Sequence, residues 1–158
     1  MEQIFFQYLE ESSIILNLKP KSKRGIISLI LDSLVDIKKI DRENKKEILR
    51  HIIQREDMGS TAIGGGIALP HARLTSVKGI VVALAISKEG VNFDSLDGEK
   101  VNVIVLLISN QKEAGIHLKT LAYLAKLLKD KTFIQNLKNA QTRKEVVNLI
   151  TKQENILS

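Results

Sequence analysis

Cysteine is absent from this sequence of 158 residues, and so is tryptophan. Without cysteine the chain can form neither a disulfide framework nor a zinc site built on thiolates. Aromatic residues make up only 4% of the chain, so the core is expected to consist mainly of Ile, Leu, Val and Ala. No apolar run has the length of a transmembrane helix, which predicts a protein without membrane insertion. The first residues are acidic and lack a basic region, so they do not match a secretory signal, and we expect a cytoplasmic location.

Acidic residues are in the minority, with 18 Asp and Glu against 24 Lys and Arg and a net charge of +6. A positive balance raises the question of nucleic-acid binding. The lysines, however, are scattered over the polar faces of predicted helices, and aromatic side chains that could stack on bases are nearly absent. We therefore expect no nucleic-acid partner, and the excess charge could equally favour encounter with an acidic protein.

The length suits a single domain over residues 1–158, with a tail that frays after about residue 152. Apolar periodicity predicts helices over 22–37, 44–55, 115–128 and 133–137, and Thr142 with Glu145 forms a capping-box pattern for a last helix. Apolar runs predict strands over 14–18, 67–69, 80–86 and 101–109. The last two runs do not alternate, which is typical of strands buried on both faces. These elements predict a layered α/β or α+β domain.

The stretch GSTAIGGGIALPHAR, residues 59–73, holds four of the nine glycines and one of the three histidines. Three consecutive glycines indicate unusual backbone dihedrals or a close approach of the backbone to another group. A short apolar run follows, Pro70 is expected to end it, and His71 comes next. Imidazole titrates near neutral pH and is a candidate for chemistry there. Taken alone, the stretch fits a glycine turn, a short strand and an incidental surface histidine equally well.

Two residues elsewhere could join His71 in a site, namely His117 in the first turn of a predicted helix and Arg55 just before the glycine stretch. A neutral imidazole is a competent nucleophile toward phosphorus. Helix N–H groups and an arginine fork both attract phosphate oxygens. The glycines at 64–66 would let the backbone form a wall of the same pocket. The remaining histidine, His51, is predicted to be a packed or half-exposed helix residue without a role.

Three alternatives to phosphohistidine chemistry lack their usual motifs. A metal site of His71, His117 and Glu56 would have no HExxH or HxH spacing, and a nucleotide loop would have no GxxxxGK[ST] or GxGxxG. A serine hydrolase would need GxSxG, which is also missing. The residues therefore favour phosphohistidine chemistry weakly, with these alternatives still open.

The run REDMGSTAIGGGIALPHAR, residues 55–73, closely resembles the phosphorylation-site signature of the fructose, mannitol and nitrogen-regulatory class of enzyme IIA. These proteins belong to the bacterial phosphoenolpyruvate-dependent phosphotransferase system. The segment around His117 and the loop NFDSLDG, residues 92–98, also resemble family segments, so the resemblance covers nearly the whole chain. It implies a mixed, mostly parallel sheet of about five strands with helices on both faces.

The resemblance implies that His71 accepts a phosphoryl group from a histidine-containing phosphocarrier protein and holds it as tele-phosphohistidine, although the sequence alone does not distinguish the two ring nitrogens. His117 would support the phosphoryl group and Arg55 would bind its oxygens. Further candidate contacts are Arg73, Thr61 and Gly65. No cofactor or metal is expected.

The resemblance is strongest to the stand-alone nitrogen-regulatory enzyme IIA, whose phosphorylation state would control binding to a sensor or transporter protein. The alternative is a sugar-branch enzyme IIA that passes the phosphoryl group to an enzyme IIB.

Overall fold

Two long apolar strands pair antiparallel at the centre of the sheet, namely β4 (Ile80–Val91) and β5 (Val101–Asn110). The computed structural model describes residues 7–19 and 21–157. The other strands are β1 (Ile14–Ile15), β2 (Ile67–Ala68) and β3 (His71–Leu74). The α-helices are α1 (Lys23–Asp36), α2 (Lys45–Asp57), α3 (Ala114–Leu127), α4 (Lys131–Asn139) and α5 (Arg143–Leu157).

The strands in the described part of the chain form one five-stranded sheet in the order β1, β4, β5, with β2 and β3 both beside β5. Strand β1 pairs parallel with β4, and β2 and β3 pair parallel with β5. Only the central β4–β5 pair is antiparallel within these residues. The prediction of a mixed, mostly parallel sheet of about five strands is therefore confirmed.

Helices cover both faces of the sheet, because alternate residues of β4 and β5 point into two different apolar clusters. One cluster holds residues such as Ala83 and Leu106 together with the apolar faces of α1 and α2. The other holds Leu84 and Leu107 together with those of α3, α4 and α5. This double burial explains why both strands appear in the sequence as unbroken apolar runs.

Several helix boundaries follow from local capping, as the sequence predicts. The Ser22 hydroxyl accepts a hydrogen bond from the backbone N–H of Gly25 at 3.0 Å and begins α1. The Thr142 hydroxyl accepts one from the N–H of Glu145 at 3.1 Å and begins α5. Caps of this kind stabilise a helix by about 1 kcal/mol each. Helix α4 is longer than predicted, because Asp130, three residues before Phe133, caps it by accepting the Phe133 N–H at 3.0 Å.

Three predicted boundaries are wrong. The first strand covers Ile14–Ile15 rather than 14–18, and β4 runs to Val91 rather than ending at residue 86. The tail does not fray at Lys152, because α5 continues to Leu157 and buries Gln153 and Glu154. The extent of a single domain over 1–158 remains a prediction, since residues 1–6, 20 and 158 lie outside the described residues.

Strand β2 ends before Pro70, as predicted, but a second strand, β3, continues the same edge directly after it. Strand β2 stops at Ala68, and β3 begins at His71 in the same parallel register against β5, with Ile67 opposite Val103 and His71 opposite Leu107. Proline lacks the N–H that a ladder needs, although its carbonyl still accepts the Leu107 N–H at 3.0 Å. His71 is therefore the first residue of a strand rather than part of a surface turn.

No helix in the described ranges is long and apolar enough to cross a membrane.

Candidate functional site

An open cleft of about 770 Å³ lies beside the edge strand β3, between the end of α2 and the beginning of α3. It contains His71 and His117, and we call it the two-histidine cleft. The side chains that line it are His51, Gln54, Arg55, Met58, His71, Ala72, Arg73, Gln111, Ala114, His117, Leu118 and Leu121. Three predicted site residues that are far apart in sequence, His71, His117 and Arg55, are therefore brought together.

His71 is oriented by a hydrogen bond to Leu69, one of the two residues between β2 and β3. Its Nδ1 lies 2.7 Å from the backbone carbonyl oxygen of Leu69, and a carbonyl can only accept, so Nδ1 carries the proton. The other nitrogen, Nε2, then has a free lone pair. The side chain is half-buried and lines the cleft, which leaves Nε2 available to a ligand there.

His117 faces His71 from the first turn of α3, with ring centroids 5.5 Å apart and ring planes at 56°. It is only 5% exposed, and its Nδ1 lies 2.6 Å from the hydroxyl of Ser109, a fully buried residue of β5. This hydrogen bond occupies one ring nitrogen on the protein side. The remaining nitrogen of His117, Nε2, is the one left for a ligand in the cleft.

Both histidines are neutral at pH 7. Burial disfavours the charged imidazolium and lowers the pKa of His71 below 6.5; Arg55 lowers it further, while the Leu69 carbonyl and Glu56 act in the opposite direction. Burial, and then the nearby His71 and Arg73, lower the pKa of His117 to about 4. The cleft thus pairs an uncharged nucleophile with positive charge supplied by arginines, which suits the binding of an anion.

The two arginines line the cleft from different elements, α2 and β3. Arg55 lies in the last turn of α2 and donates from Nη1 to the carbonyl of Gly59 at 2.7 Å, which fixes its guanidinium beside the cleft. Its remaining N–H groups are donors that could bind anion oxygens. Arg73 is exposed, lies on β3 two residues beyond His71, and therefore points to the same face of the sheet as His71.

Thr61 does not project into the two-histidine cleft but binds Glu56, a buried residue of α2. Its hydroxyl and its N–H both bind the carboxylate of Glu56, which is buried and also pairs with Lys23 at 3.3 Å. Lys23 in turn lies 3.2 Å from Asp94. These contacts connect the end of α2 to the glycine stretch and thereby help to hold Arg55, and Thr61 itself does not line the two-histidine cleft.

The glycine turn at residues 64–66 also lies outside the two-histidine cleft, so the prediction that it forms a wall of that pocket is wrong. The N–H of Gly65 donates to Asp97 at 3.2 Å, and Gly66 accepts from the N–H of Asn102 at 2.8 Å. The positive φ angles of these glycines, +134°, +73° and +77°, explain why glycine is needed here. The turn instead lines a separate cleft near the end of α3.

Sequence reasoning missed several parts of the site. The Leu69 carbonyl and the Ser109 hydroxyl, which bind the two histidines, could not be found without the strand register. His51 is half-buried as expected, but it also lines the cleft. Of the residues that line the cleft, Met58 and Leu118 are 83% and 70% exposed, and neither belongs to the two apolar clusters formed by the described residues.

Within residues 7–19 and 21–157, no three side chains of His, Asp or Glu converge as metal ligands would. Glu56, the carboxylate considered for such a site, is bound to Lys23 and Thr61.

Comparison with protein families matches residues 7–153 to the model described as "Phosphoenolpyruvate-dependent sugar phosphotransferase system, EIIA 2". The chain is similar to a fructose-specific EIIABC component of Bacillus subtilis, with 31% identity over 94% of the chain and 23% of that protein. It is also similar to a nitrogen regulatory protein of Bradyrhizobium diazoefficiens, with 30% identity over 68% of the chain and 71% of that protein. The chain thus spans about a quarter of the multidomain relative and most of the regulatory one.

Two solved structures have a similar fold. The nitrogen regulatory protein IIA-Ntr of Neisseria meningitidis is similar with a TM-score of 0.83 and 28% identity, over 93% of this chain and 99% of that one. A complex of the mannitol enzyme IIA with phosphorylated enzyme IIB from Escherichia coli has a TM-score of 0.76 at 22% identity, over 91% and 97%. At that identity the second likeness shows the fold alone.

Proposed function

The chain belongs to the EIIA 2 family of the phosphoenolpyruvate-dependent sugar phosphotransferase system, and from this we propose that it is a cytoplasmic phosphocarrier that accepts a phosphoryl group on Nε2 of His71. The observation that carries the proposal is the hydrogen bond of His71 Nδ1 to Leu69, 2.7 Å long, which leaves Nε2 as the free nucleophile. A pKa below 6.5 keeps that nitrogen unprotonated at neutral pH.

The donor in this proposal is the phosphohistidine of a small phosphocarrier protein. The lone pair of His71 Nε2 attacks phosphorus, a P–N bond forms, and the P–N bond to the donor imidazole breaks with its electron pair returning to that ring. No proton has to be moved on His71, because Nδ1–H already donates to Leu69. Such a transfer depends on positioning and on charge stabilisation rather than on covalent help from the protein.

The phosphoryl oxygens would be bound from three directions. Arg55, fixed by Gly59, offers its free N–H groups, and Arg73 adds positive charge on the side of His117. If the Ser109 hydroxyl donates to His117 Nδ1, then His117 carries its proton on Nε2 and donates it into the cleft. We assign His117 the role of supporting the phosphoryl group through this N–H while its imidazole ring stays neutral.

The apolar rim of the cleft fits the docking of a protein donor. Met58 on one side and Leu118 on the other stand exposed around His71. Their burial by a partner would exclude water while the phosphoryl group is transferred. The phosphorylated chain would then act as a nitrogen-type regulatory enzyme IIA that binds a sensor or transporter protein. The alternative remains transfer to an enzyme IIB, as the fructose and mannitol names among its relatives suggest.

The proposal is tested by incubating the chain with enzyme I, the phosphocarrier protein and labelled phosphoenolpyruvate. We expect one phosphoryl group per chain, attached to Nε2 of His71 in ³¹P–¹⁵N correlation spectra. His71→Ala should abolish labelling, whereas Lys78→Ala, at an exposed residue outside the cleft, should label like the parent chain. Labelling that persists in His71→Ala, or attachment to Nδ1, would contradict the assignment.

The two downstream roles are separated by pull-down with the phosphorylated and unphosphorylated chain. A sensor or transporter subunit that binds only one of the two forms supports regulation. An enzyme IIB that takes the label from the chain supports the sugar branch.

A further inference from the structure

A second cleft, of about 540 Å³, lies at the other end of α3 from the two histidines. We call it the lysine cleft. Its lining combines the glycine turn with the end of α3 and the beginning of α4. The residues that matter for the inference are Ile63, Ile67, Ile134, Lys126, Lys129 and Lys131. None of the catalytic groups assigned above lies in it.

The floor of the lysine cleft is apolar. Ile67 and Ile134 are 6% and 7% exposed and reach the cleft from β2 and α4. Beside them the large apolar side chain of Ile63 is 62% exposed. Next to Ile63, Gly64 and Gly65 carry no side chain; a Cβ at Gly65 would meet nothing within 4 Å, whereas one at Gly64 would lie 3.1 Å from Asp97 Oδ2. The cleft is therefore open and can take an apolar side chain from outside.

The rim of the lysine cleft is positive. Lys126, Lys129 and Lys131 are all exposed, and among the described residues none of them forms an ion pair with a carboxylate. Of the acidic residues near the cleft, Glu99 borders a neighbouring pocket together with Lys131, and Asp97 and Asp130 are hydrogen-bonded within the protein. Asp97 binds the N–H of Gly65 and the Ser95 hydroxyl, and Asp130 binds the N–H of Phe133 and the Gln153 amide.

From this combination we propose that the lysine cleft docks an acidic segment of a partner protein, one that inserts an aliphatic side chain between Ile63 and Ile134 and places carboxylates against the three lysines. A nucleic acid fits less well, because no aromatic side chain lines the cleft for base stacking. A flat bilayer fits less well too, because the apolar floor is recessed. A protein segment can supply both an apolar side chain and negative charge.

The lysine cleft and the two-histidine cleft can be occupied together. Ile67 and His71 are four residues apart on the same edge, which corresponds to about 13 Å along extended strands. Both face the same side of the sheet, where α3 runs from one cleft to the other. A target held at the lysine cleft would therefore leave Nε2 of His71 open to the phosphoryl donor.

The test uses the ¹⁵N-labelled full chain and a synthetic twelve-residue peptide of glutamates with two central leucines. We expect amide shifts confined to residues 63–67 and 125–134. The triple charge reversal Lys126→Glu, Lys129→Glu and Lys131→Glu should weaken binding by at least about tenfold, because each lysine faces the acidic segment. A control triple, Lys78→Glu, Lys88→Glu and Lys144→Glu, changes net charge equally at exposed sites elsewhere and should weaken it by less than about threefold.

A separate substitution tests the apolar contact in the lysine cleft. Ile63→Ser removes an exposed side chain, so folding should be retained while peptide affinity falls about fivefold. His71→Ala should bind the peptide like the parent chain, which separates this inference from the phosphocarrier proposal.

Four outcomes would overturn the inference. They are shifts centred on the two-histidine cleft, no shifts at all, equal weakening by both charge-reversal triples, and tighter binding of a single-stranded oligonucleotide or of anionic phosphatidylglycerol vesicles at the same residues.

Discussion

The two clefts at opposite ends of α3 share one helix and one edge of the sheet, yet they are built from different interactions. In the two-histidine cleft three groups are oriented by hydrogen bonds. His71 Nδ1–H donates to the Leu69 carbonyl, His117 Nδ1 pairs with the Ser109 hydroxyl, and Arg55 donates to the Gly59 carbonyl. In the lysine cleft the charged side chains have no such partner among the described residues, and the floor is apolar. Fixed geometry suits bond making, and adaptable charge over an apolar floor suits docking.

This difference gives a way to sort the effects of mutations. Changes in the two-histidine cleft should alter rates and tautomers and leave docking at the lysine cleft intact. Changes at the glycine turn should alter stability or docking and leave phosphoryl transfer intact. A variant in one cleft that changes the function of the other cleft would show that the two regions are coupled.

The largest effect is expected from His117→Ala. The variant should still accept a phosphoryl group on His71, but transfer should slow by about 10²-fold, because one donor to the developing charge is lost. Rapid-quench kinetics with the labelled phosphocarrier protein measure this in both directions. His117→Gln keeps an amide donor and should retain more activity than the alanine variant. Transfer at the parent rate in His117→Ala would show that His117 takes no part in the mechanism. It would also weaken the contrast between a cleft of oriented reactive groups and a cleft for docking.

The second prediction concerns stability at low pH. The pKa of His117 is lowered from 6.5 in the unfolded chain to about 4 in the folded one. Below pH 6.5 His117 therefore binds a proton in the unfolded chain but not in the folded one. The free energy of unfolding falls as the pH drops toward 4. Between pH 7 and pH 4 the free energy of unfolding should fall by about 2 kcal/mol more in the parent chain than in His117→Gln. Urea titrations at both pH values give this difference, and equal losses would contradict it.

The sequence predicts the strands β4 and β5 and most helices because their signals are local. Burial on both faces leaves an unbroken apolar run, and Ser22 and Thr142 cap helices a few residues away. The partners of the histidines could not be predicted, because Ser109 meets His117 only through the packing of α3 on β5.

The glycine turn was misplaced for a reason that strand geometry could have supplied. Ile67, which bridges Gly64 across the turn, lies four residues before His71, and extended chain covers about 3.3 Å per residue, so the turn lies roughly 13 Å along the edge from the histidine. Proline at position 70 suggested an end to the strand, whereas the missing N–H cost only one ladder bond and the register continued.

A smaller kinetic effect is expected from Ser109→Ala. Removal of the hydroxyl leaves His117 Nδ1 without its partner in a buried position, so the ring should populate the other tautomer. Phosphoryl transfer should slow by about tenfold, since Nε2–H is then present for only part of the time. The ¹⁵N shifts of the His117 ring report the tautomer directly. Ser87→Ala is the matched control, because Ser87 is also a buried strand serine but binds Gly90. Unchanged ring shifts in Ser109→Ala would show that the serine only fills space.

The smallest effect, and the one that bears most on the glycine turn, is expected from Gly65→Ala. A Cβ at this position meets nothing within 4 Å, so the cost is the strain of a side chain at φ +73°, about 1 kcal/mol. Gly90→Ala is the comparison, because its Cβ would lie 2.7 Å from Lys100 Cβ and should destabilise the chain more. Thermal unfolding measures both costs. Labelling of His71 should proceed in Gly65→Ala at the parent rate, since the turn lies outside the two-histidine cleft. If it instead slowed as much as in His117→Ala, the turn would act in the chemistry and the division between the two clefts would fail.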